Sequence, residues 1–306
     1  MKVENFSCYH FTDWDKHGQI AFPEFIAVAV INTLTLPLTV LLNILVIISI
    51  WRTPTLHTPA MLLLSNLALS DLAVGLIGQP AFLASTALEL YVNKRPNAFC
   101  YCAAFSMIMI SAFGGVSFTC LTAMALDRFL ALLLHLRYPV LITVKRVIGV
   151  CVCLWVLSLC ATSFSYVLGV EVHSITAASA ITVCNVVAII SYAHIYRILR
   201  RHQTQIQATV MTLENNMARI QQYKKSVMGS LCIYLVFILC WAPALFAFAY
   251  FEVTKDYHLS PSIVRVGVSV AMANSALNPI IYCWKHLQLR NAFWHTVTSL
   301  REWAGH

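Results

Sequence analysis

The sequence predicts an all-α fold, a seven-transmembrane helix bundle closed by an amphipathic helix, and three observations carry the prediction. Only 10% of the 306 residues are charged and 59% are hydrophobic, whereas a soluble domain carries roughly 25% charged residues. The mean hydropathy is +0.75. The apolar residues also gather into seven runs of about 20 residues or more, the length a helix needs to cross a bilayer.

The runs cover 24–51, 59–88, 100–132, 146–168, 175–200, 226–250 and 262–284. Most exceed the hydrocarbon core, so their helices tilt or project into water. After the seventh, "YCWKHLQLRNAF" alternates apolar and basic residues as a helix lying on a membrane does. Three regions result: an extracellular N-terminus over 1–23, a membrane domain over 24–284, and a surface helix with a short cytoplasmic tail over 285–306.

Basic residues orient the bundle. Arg52, Arg128, Arg137, Lys145, Arg146, Arg197, Arg200, Arg201, Arg219, Lys224, Lys225, Lys285, Arg290 and Arg301 fall on one side. Lys2, Lys16, Lys94, Arg95, Lys255 and Arg265 fall on the other. The richer side is cytoplasmic, and an odd number of spans leaves the N-terminus outside. Asn5 in "NFS" is a glycosylation acceptor on that side. The net charge of +8 is therefore mostly cytoplasmic, which suits membrane lipids of anionic type or an acidic protein partner. It gives no reason to invoke nucleic acid. The first 20 residues lack an apolar stretch of signal-peptide length, so the first span is expected to serve as the targeting signal.

Of eleven cysteines, eight fall inside spans, where Cys behaves as a small apolar residue. Cys8, Cys100 and Cys102 face the oxidising side, where a bridge from Cys8 to Cys100 or to Cys102 is open.

Polar groups inside the spans are the functional candidates, because their burial is costly. Asp127 and Arg128 stand together where the third run gives way to basic sequence. Asp71 in the second span, Ser117 in the third, and Asn274, Ser275 and Asn278 in the seventh place hydroxyl, amide and carboxylate oxygens in the membrane. Together they suit a small hard cation such as sodium, or else a neutral cluster that joins helices. Pro243 and Pro279 each remove a backbone hydrogen bond and kink the sixth and seventh helices, with Trp241 beside the first kink. A transporter would show repeat symmetry and broken helices, a channel a ring of charge, and an intramembrane enzyme a partnered nucleophile. None of these patterns is evident, so the chain is not read as an enzyme.

In order along the chain, "LNILV", "NLALSDLAVG", "ALDRF", Trp155, "CWAP" and "LNPIIY" resemble the rhodopsin-like (class A) G-protein-coupled receptors. "HLRYPVLITVKRV" and the segment after the seventh span are similar to the melanocortin and adenosine receptors. The short outer loop "VEVHSI" and a fifth span without proline resemble the melanocortin–cannabinoid branch. The resemblance implies a plasma-membrane receptor that converts binding of an extracellular ligand into activation of a heterotrimeric G protein. A melanocortin-like peptide receptor is the alternative.

Residue by residue, the resemblance implies that Arg128 rests against Asp127 and on activation swings toward Tyr192 and Tyr282. Phe129 replaces the tyrosine usual after that pair, and Leu136 matches the apolar residue that plugs into the G protein. Tyr223, Lys224 and Lys225 stand where some relatives carry an acid that restrains Arg128, so raised basal signalling is expected. Asp71, Ser117, Asn274, Ser275 and Asn278 match the family's allosteric sodium pocket. Phe237, Trp241 and Pro243 match its toggle. Ile110 stands where amine receptors carry an aspartate. Met272 replaces the retinal-binding lysine of opsins, so no retinal is expected. Ala81, Ala103 and Met107 replace the acids that hold melanocortin peptides. Ile110, Phe113, Trp241, Leu245, Phe248 and Val268 are expected to line an apolar pocket with Arg265 at its mouth. That pocket would suit a lipid-like or a small neutral-to-acidic ligand. The usual bridge from the third helix to the second outer loop is missing, since that loop has no cysteine.

Overall fold

The computed structural model describes residues 20, 22–90, 96–134, 137–207, 213–254 and 260–304. Among them, seven helices are long and apolar enough to cross a membrane, as expected. In chain order the helices are α1 Phe22–Arg52, α2 Pro59–Glu89, α3 Pro96–Leu134, α4 Val144–Leu168 and α5 Val170–Gln207. They continue with α6 Leu213–Thr254, α7 Ser260–Lys285 and α8 Leu287–Ala304. A helix satisfies its own backbone hydrogen bonds, which is what lipid demands of a spanning segment.

Local signals set the helix ends. Thr58 caps α2 by accepting a hydrogen bond from the Met61 N–H, with Pro59 in the first turn. Thr143 caps α4 in the same way, accepting from the Arg146 N–H. Each side chain satisfies an N–H that the helix start leaves without a partner. Inside α2 the segment Val74–Gly78 is a wide π turn. Pro80 follows it, and its ring would meet the carbonyl of Leu76 in a regular α-helix. The wide turn lies where that clash would fall.

The connection between α4 and α5 departs from expectation. "VEVHSI" is not a loop, because α5 begins at Val170 and Gly169 alone breaks the chain. Gly169 sits at φ +130°, a conformation open to glycine and strained for other residues. The first turn of α5 is tied down by His173, whose Nδ1 lies 3.0 Å from the Ser165 hydroxyl and whose Nε2 lies 3.1 Å from that of Ser111. One imidazole thus joins α3, α4 and α5.

Helices α2 and α7 form the centre of the bundle. Buried residues make up 56% and 61% of their spans, against 11% for α4 and α5, which lie at the rim. The surface helix docks by one face: Leu289 is fully buried, and the Ser49 hydroxyl of α1 lies 3.1 Å from that of Thr296. Its other face exposes Leu287 and Trp294, apolar groups suited to the lipid interface.

Candidate functional site

At the inner end of α3, Arg128 Nη2 donates to Asp127 Oδ2 at 2.8 Å. The second carboxylate oxygen accepts from the Tyr138 hydroxyl at 2.6 Å. Tyr138 begins a one-turn helix, Tyr138–Leu141, before α4. Sequence reasoning missed Tyr138, although its position ahead of Pro139 in a basic segment marks it as a turn residue. Phe129, which lacks a hydroxyl, packs against His194 of α5 with ring centroids 5.6 Å apart. The Tyr192 and Tyr282 hydroxyls are buried and make no hydrogen bond. Leu136 lies outside the described residues, as do the side chains of Tyr223, Lys224 and Lys225.

His286, between α7 and α8, completes the inner rim. Burial pushes its pKa below the ordinary histidine value, and the nearby Arg128 guanidinium pushes the same way. A β-carbon on Gly229 of α6 would sit 3.5 Å from His286 Nε2. The imidazole therefore lies against the inner half of α6 and within electrostatic reach of Arg128.

Half-way across the membrane, Asp71 is 1% exposed and Asn278 Nδ2 donates to its Oδ2 at 2.8 Å. The Ser117 hydroxyl donates to the Phe113 carbonyl and lies 3.0 Å from the Ser70 hydroxyl. Asn274 Oδ1 and Asn278 Oδ1 are buried acceptors without donors. Ser117, Asn274 and Ser275 line a cavity of about 10 Å³ together with Phe237 and Trp241, room for one water-sized sphere. Acceptor oxygens facing no donor are the chemistry a hard monovalent cation satisfies, so these residues fit such an ion.

Trp241 forms part of the wall of this cavity. Its ring stacks on Phe237 at 5.8 Å and lies so close to α3 that a β-carbon on Gly114 would be 2.9 Å from two of its atoms. At the Pro243 kink the backbones of α6 and α7 nearly touch: a β-carbon on Gly267 would come within 2.7 Å of the Ala244 nitrogen.

Above Trp241, Ile110, Phe113, Val268 and Met272 pack into one buried cluster, with Phe248 and Trp155 against its edge. Phe113 meets Trp155 edge-on at 6.0 Å. Leu245 is half-buried and outside that cluster. Ile110 and Met272 of this cluster, with Trp241, also line the small cavity beside Ser117 and Asn274.

Arg265 corrects the expectation most plainly. It is 4% exposed and does not stand at a pocket mouth. Its Nη1 donates to Glu24 Oε1 of α1 at 2.7 Å, and its Nη2 donates to Glu89 of α2. A guanidinium in an apolar surround needs carboxylate partners to offset desolvation, and two acids from the neighbouring helices provide them. Two of its nitrogens are therefore engaged by carboxylates of neighbouring helices. Below it, the Ser269 hydroxyl donates to the Arg265 carbonyl, Asn32 donates to Ser269, and Gln79 donates to Thr35. The outer thirds of α1, α2 and α7 are thereby joined by polar groups in a chain.

Cys100 is disulfide-bonded and Cys102 is free. Asn5 and Cys8 lie outside the described residues.

Residues 42–187 and 169–282 match the family described as 7 transmembrane receptor (rhodopsin family). The chain belongs to that family. It is 28% identical over 278 residues to melanocortin receptor 3 of Homo sapiens, covering 82% of this chain and 79% of that one. It is 27% identical to the histamine H2 receptor of Canis lupus familiaris, covering 88% and 78%. To adenosine receptor A2b of Bos taurus it is 26% identical, covering 84% and 85%. The protein is thus a multi-pass membrane receptor, and its relatives are named for a peptide hormone, an amine and a nucleoside.

Proposed function

We propose that this receptor, with its N-terminus outside the cell, converts binding of a small apolar, lipid-like ligand into activation of a heterotrimeric G protein. The observation that carries the ligand class is the cluster above Trp241. Ile110, Phe113, Val268 and Met272 present no charge and no hydrogen-bond donor. Among the described residues, the cation near them, Arg265, is held by Glu24 and Glu89. A ligand that parts these side chains replaces apolar contacts with apolar contacts. A charged one would be buried without a partner, which is strongly unfavourable.

The transducer side follows from the Asp127–Arg128 pair. Opening it frees a guanidinium at the inner rim for Tyr192 and Tyr282, whose hydroxyls have no partner at rest. The cavity that forms receives the G-protein helix, with Leu136 as a further contact. An allosteric sodium ion at Asp71, Ser117, Asn274, Ser275 and Asn278 belongs to the same proposal; bound there, it supplies the positive charge a buried carboxylate lacks. Similarity to melanocortin receptor 3 favours a peptide ligand as the second reading.

The test uses the full chain in bilayer discs with purified G proteins of each family. Nucleotide exchange is followed against panels of neutral lipids, amines, nucleosides and melanocortin peptides. Exchange is expected to rise with apolar members and to vanish in Arg128→Ala at unchanged surface expression. A response to peptides alone selects the second reading. No exchange on any G protein rejects the transducer assignment.

A further inference from the structure

Rings connect the toggle to the switch without a gap. Trp241 stacks on Phe237, and Phe237 meets Phe118 of α3 at 5.3 Å. Phe118 meets Tyr234 of α6 at 6.2 Å, and Tyr234 meets Tyr192 of α5 at 6.1 Å. One member of this column does more than pack. The Tyr234 hydroxyl donates to Asn185 Oδ1 of α5 at 2.8 Å. Asn185 in turn spends its Nδ2 on the Ile181 carbonyl at 3.0 Å, so the side chain is aimed by its own helix and Oδ1 is left to face α6.

We propose that the Tyr234–Asn185 hydrogen bond is a latch that holds the inner half of α6 against α5 and so keeps Tyr192 packed on Tyr234. It rests on the transducer assignment above and locates the restraint on α6 that the basic run at Lys224 does not provide. Neither residue belongs to the apolar cluster above Trp241; both act through Tyr192 and through the position of α6.

Leverage explains why this bond matters. Tyr234 lies nine residues inward of the Pro243 kink, about 13 Å along the helix axis. Turning the inner half of α6 by about 10° about that kink moves Tyr234 by about 2 Å at this rise per residue. A hydrogen bond of 2.8 Å does not survive that displacement. Within the bilayer no water replaces the lost partner, so both polar atoms are left without one while α6 is open. The fifth helix has no proline between Val170 and Gln207, so its backbone ladder offers no free carbonyl at this depth. Asn185 is the group available to α6. While the bond holds, the Tyr234 ring packs on Tyr192, whose hydroxyl is idle.

Tyr234→Phe keeps the ring and every aromatic contact and removes the latch alone. Asn185→Ala removes it from the other side. The primary readout is fluorine NMR of the receptor itself, with a trifluoromethyl label on Met228→Cys, an exposed site at the inner end of α6. The open population is expected to rise about threefold in each variant, the factor set by a typical interhelical hydrogen bond in a membrane. The double variant should rise no further than either single one, since one bond is being removed twice. Basal nucleotide exchange should rise by the same factor.

Populations unchanged in Tyr234→Phe, or effects of the two variants that multiply, overturn the latch and leave Tyr234 as packing. A shifted fluorine population without exchange in any variant leaves the latch standing and rejects the transducer assignment instead. Thermal stability without ligand separates a folding defect from opening: Tyr234→Phe should stay within a few degrees of the parent.

Discussion

Adding one methyl group at Gly114 tests whether the Trp241 ring reports on activation. The β-carbon would stand 2.9 Å from both Cη2 and Cζ2 of Trp241, well inside the contact distance of about 3.5–4.0 Å between carbons. The ring cannot remain where it is. Overpacking of this kind costs about 1–3 kcal/mol in a close-packed interior. The obstacle is a side chain beside a small cavity, so the strain is relieved when Trp241 leaves Gly114. If the active state is the one in which Trp241 has swung, that relief favours it. Each 1.4 kcal/mol is a factor of ten, so basal exchange in Gly114→Ala should rise by about tenfold. Gly267→Ala is the control of opposite kind. Its β-carbon meets the backbone nitrogen and Cα of Ala244 and the Pro243 carbonyl carbon, atoms that no rotamer change moves. That variant should fail to reach the surface and should not signal. The assay is nucleotide exchange without ligand, normalised to surface receptor. Gly114→Ala combined with Trp241→Phe should return basal exchange to the level of Trp241→Phe alone. A Gly114→Ala receptor that is well expressed yet no more active than its parent refutes the link between ring position and activation.

Three further outcomes follow from the geometry. Replacing Arg265 by Gln removes the guanidinium that Glu24 and Glu89 share; a loss of stability is expected, read as a lower unfolding temperature in lipid discs. Asp71→Asn should abolish the effect of sodium on agonist affinity while binding itself persists, and a salt response equal to that of the parent rejects the cation site. His286 gives the pH dependence. Its folded-state pKa is depressed by burial and by Arg128, so the folded state binds the proton less well than the unfolded one. The stability it contributes is present above the ordinary histidine pKa and is lost as pH falls through the lower folded value. The parent should therefore lose unfolding temperature on mild acidification of the cytoplasmic face, and His286→Gln should lose less; equal slopes would remove His286 from the rim.

The sequence by itself determined what a bilayer imposes segment by segment. Seven apolar stretches, their basic flanks and the prolines at 243 and 279 are local patterns, because a spanning helix satisfies its own backbone and presents apolar side chains along its whole length. The Asp127–Arg128 pair was legible for the same reason, its members being adjacent in the chain. Even the misread start of α5 is instructive. Polarity in "VEVHSI" suggested a loop, but Gly169 turns the chain in a single residue and His173 finds its partners on α3 and α4. Tertiary structure alone decided what lies opposite what. Arg265 meets Glu24 and Glu89 across sequence separations of 241 and 176 residues. Tyr138 reaches Asp127 only because the chain folds back after α3, and Tyr234 finds Asn185 only where α5 and α6 cross. Hydropathy is a property of one segment, whereas a hydrogen bond or ion pair between helices needs the rotation and depth of two, and those are set by packing across the whole bundle.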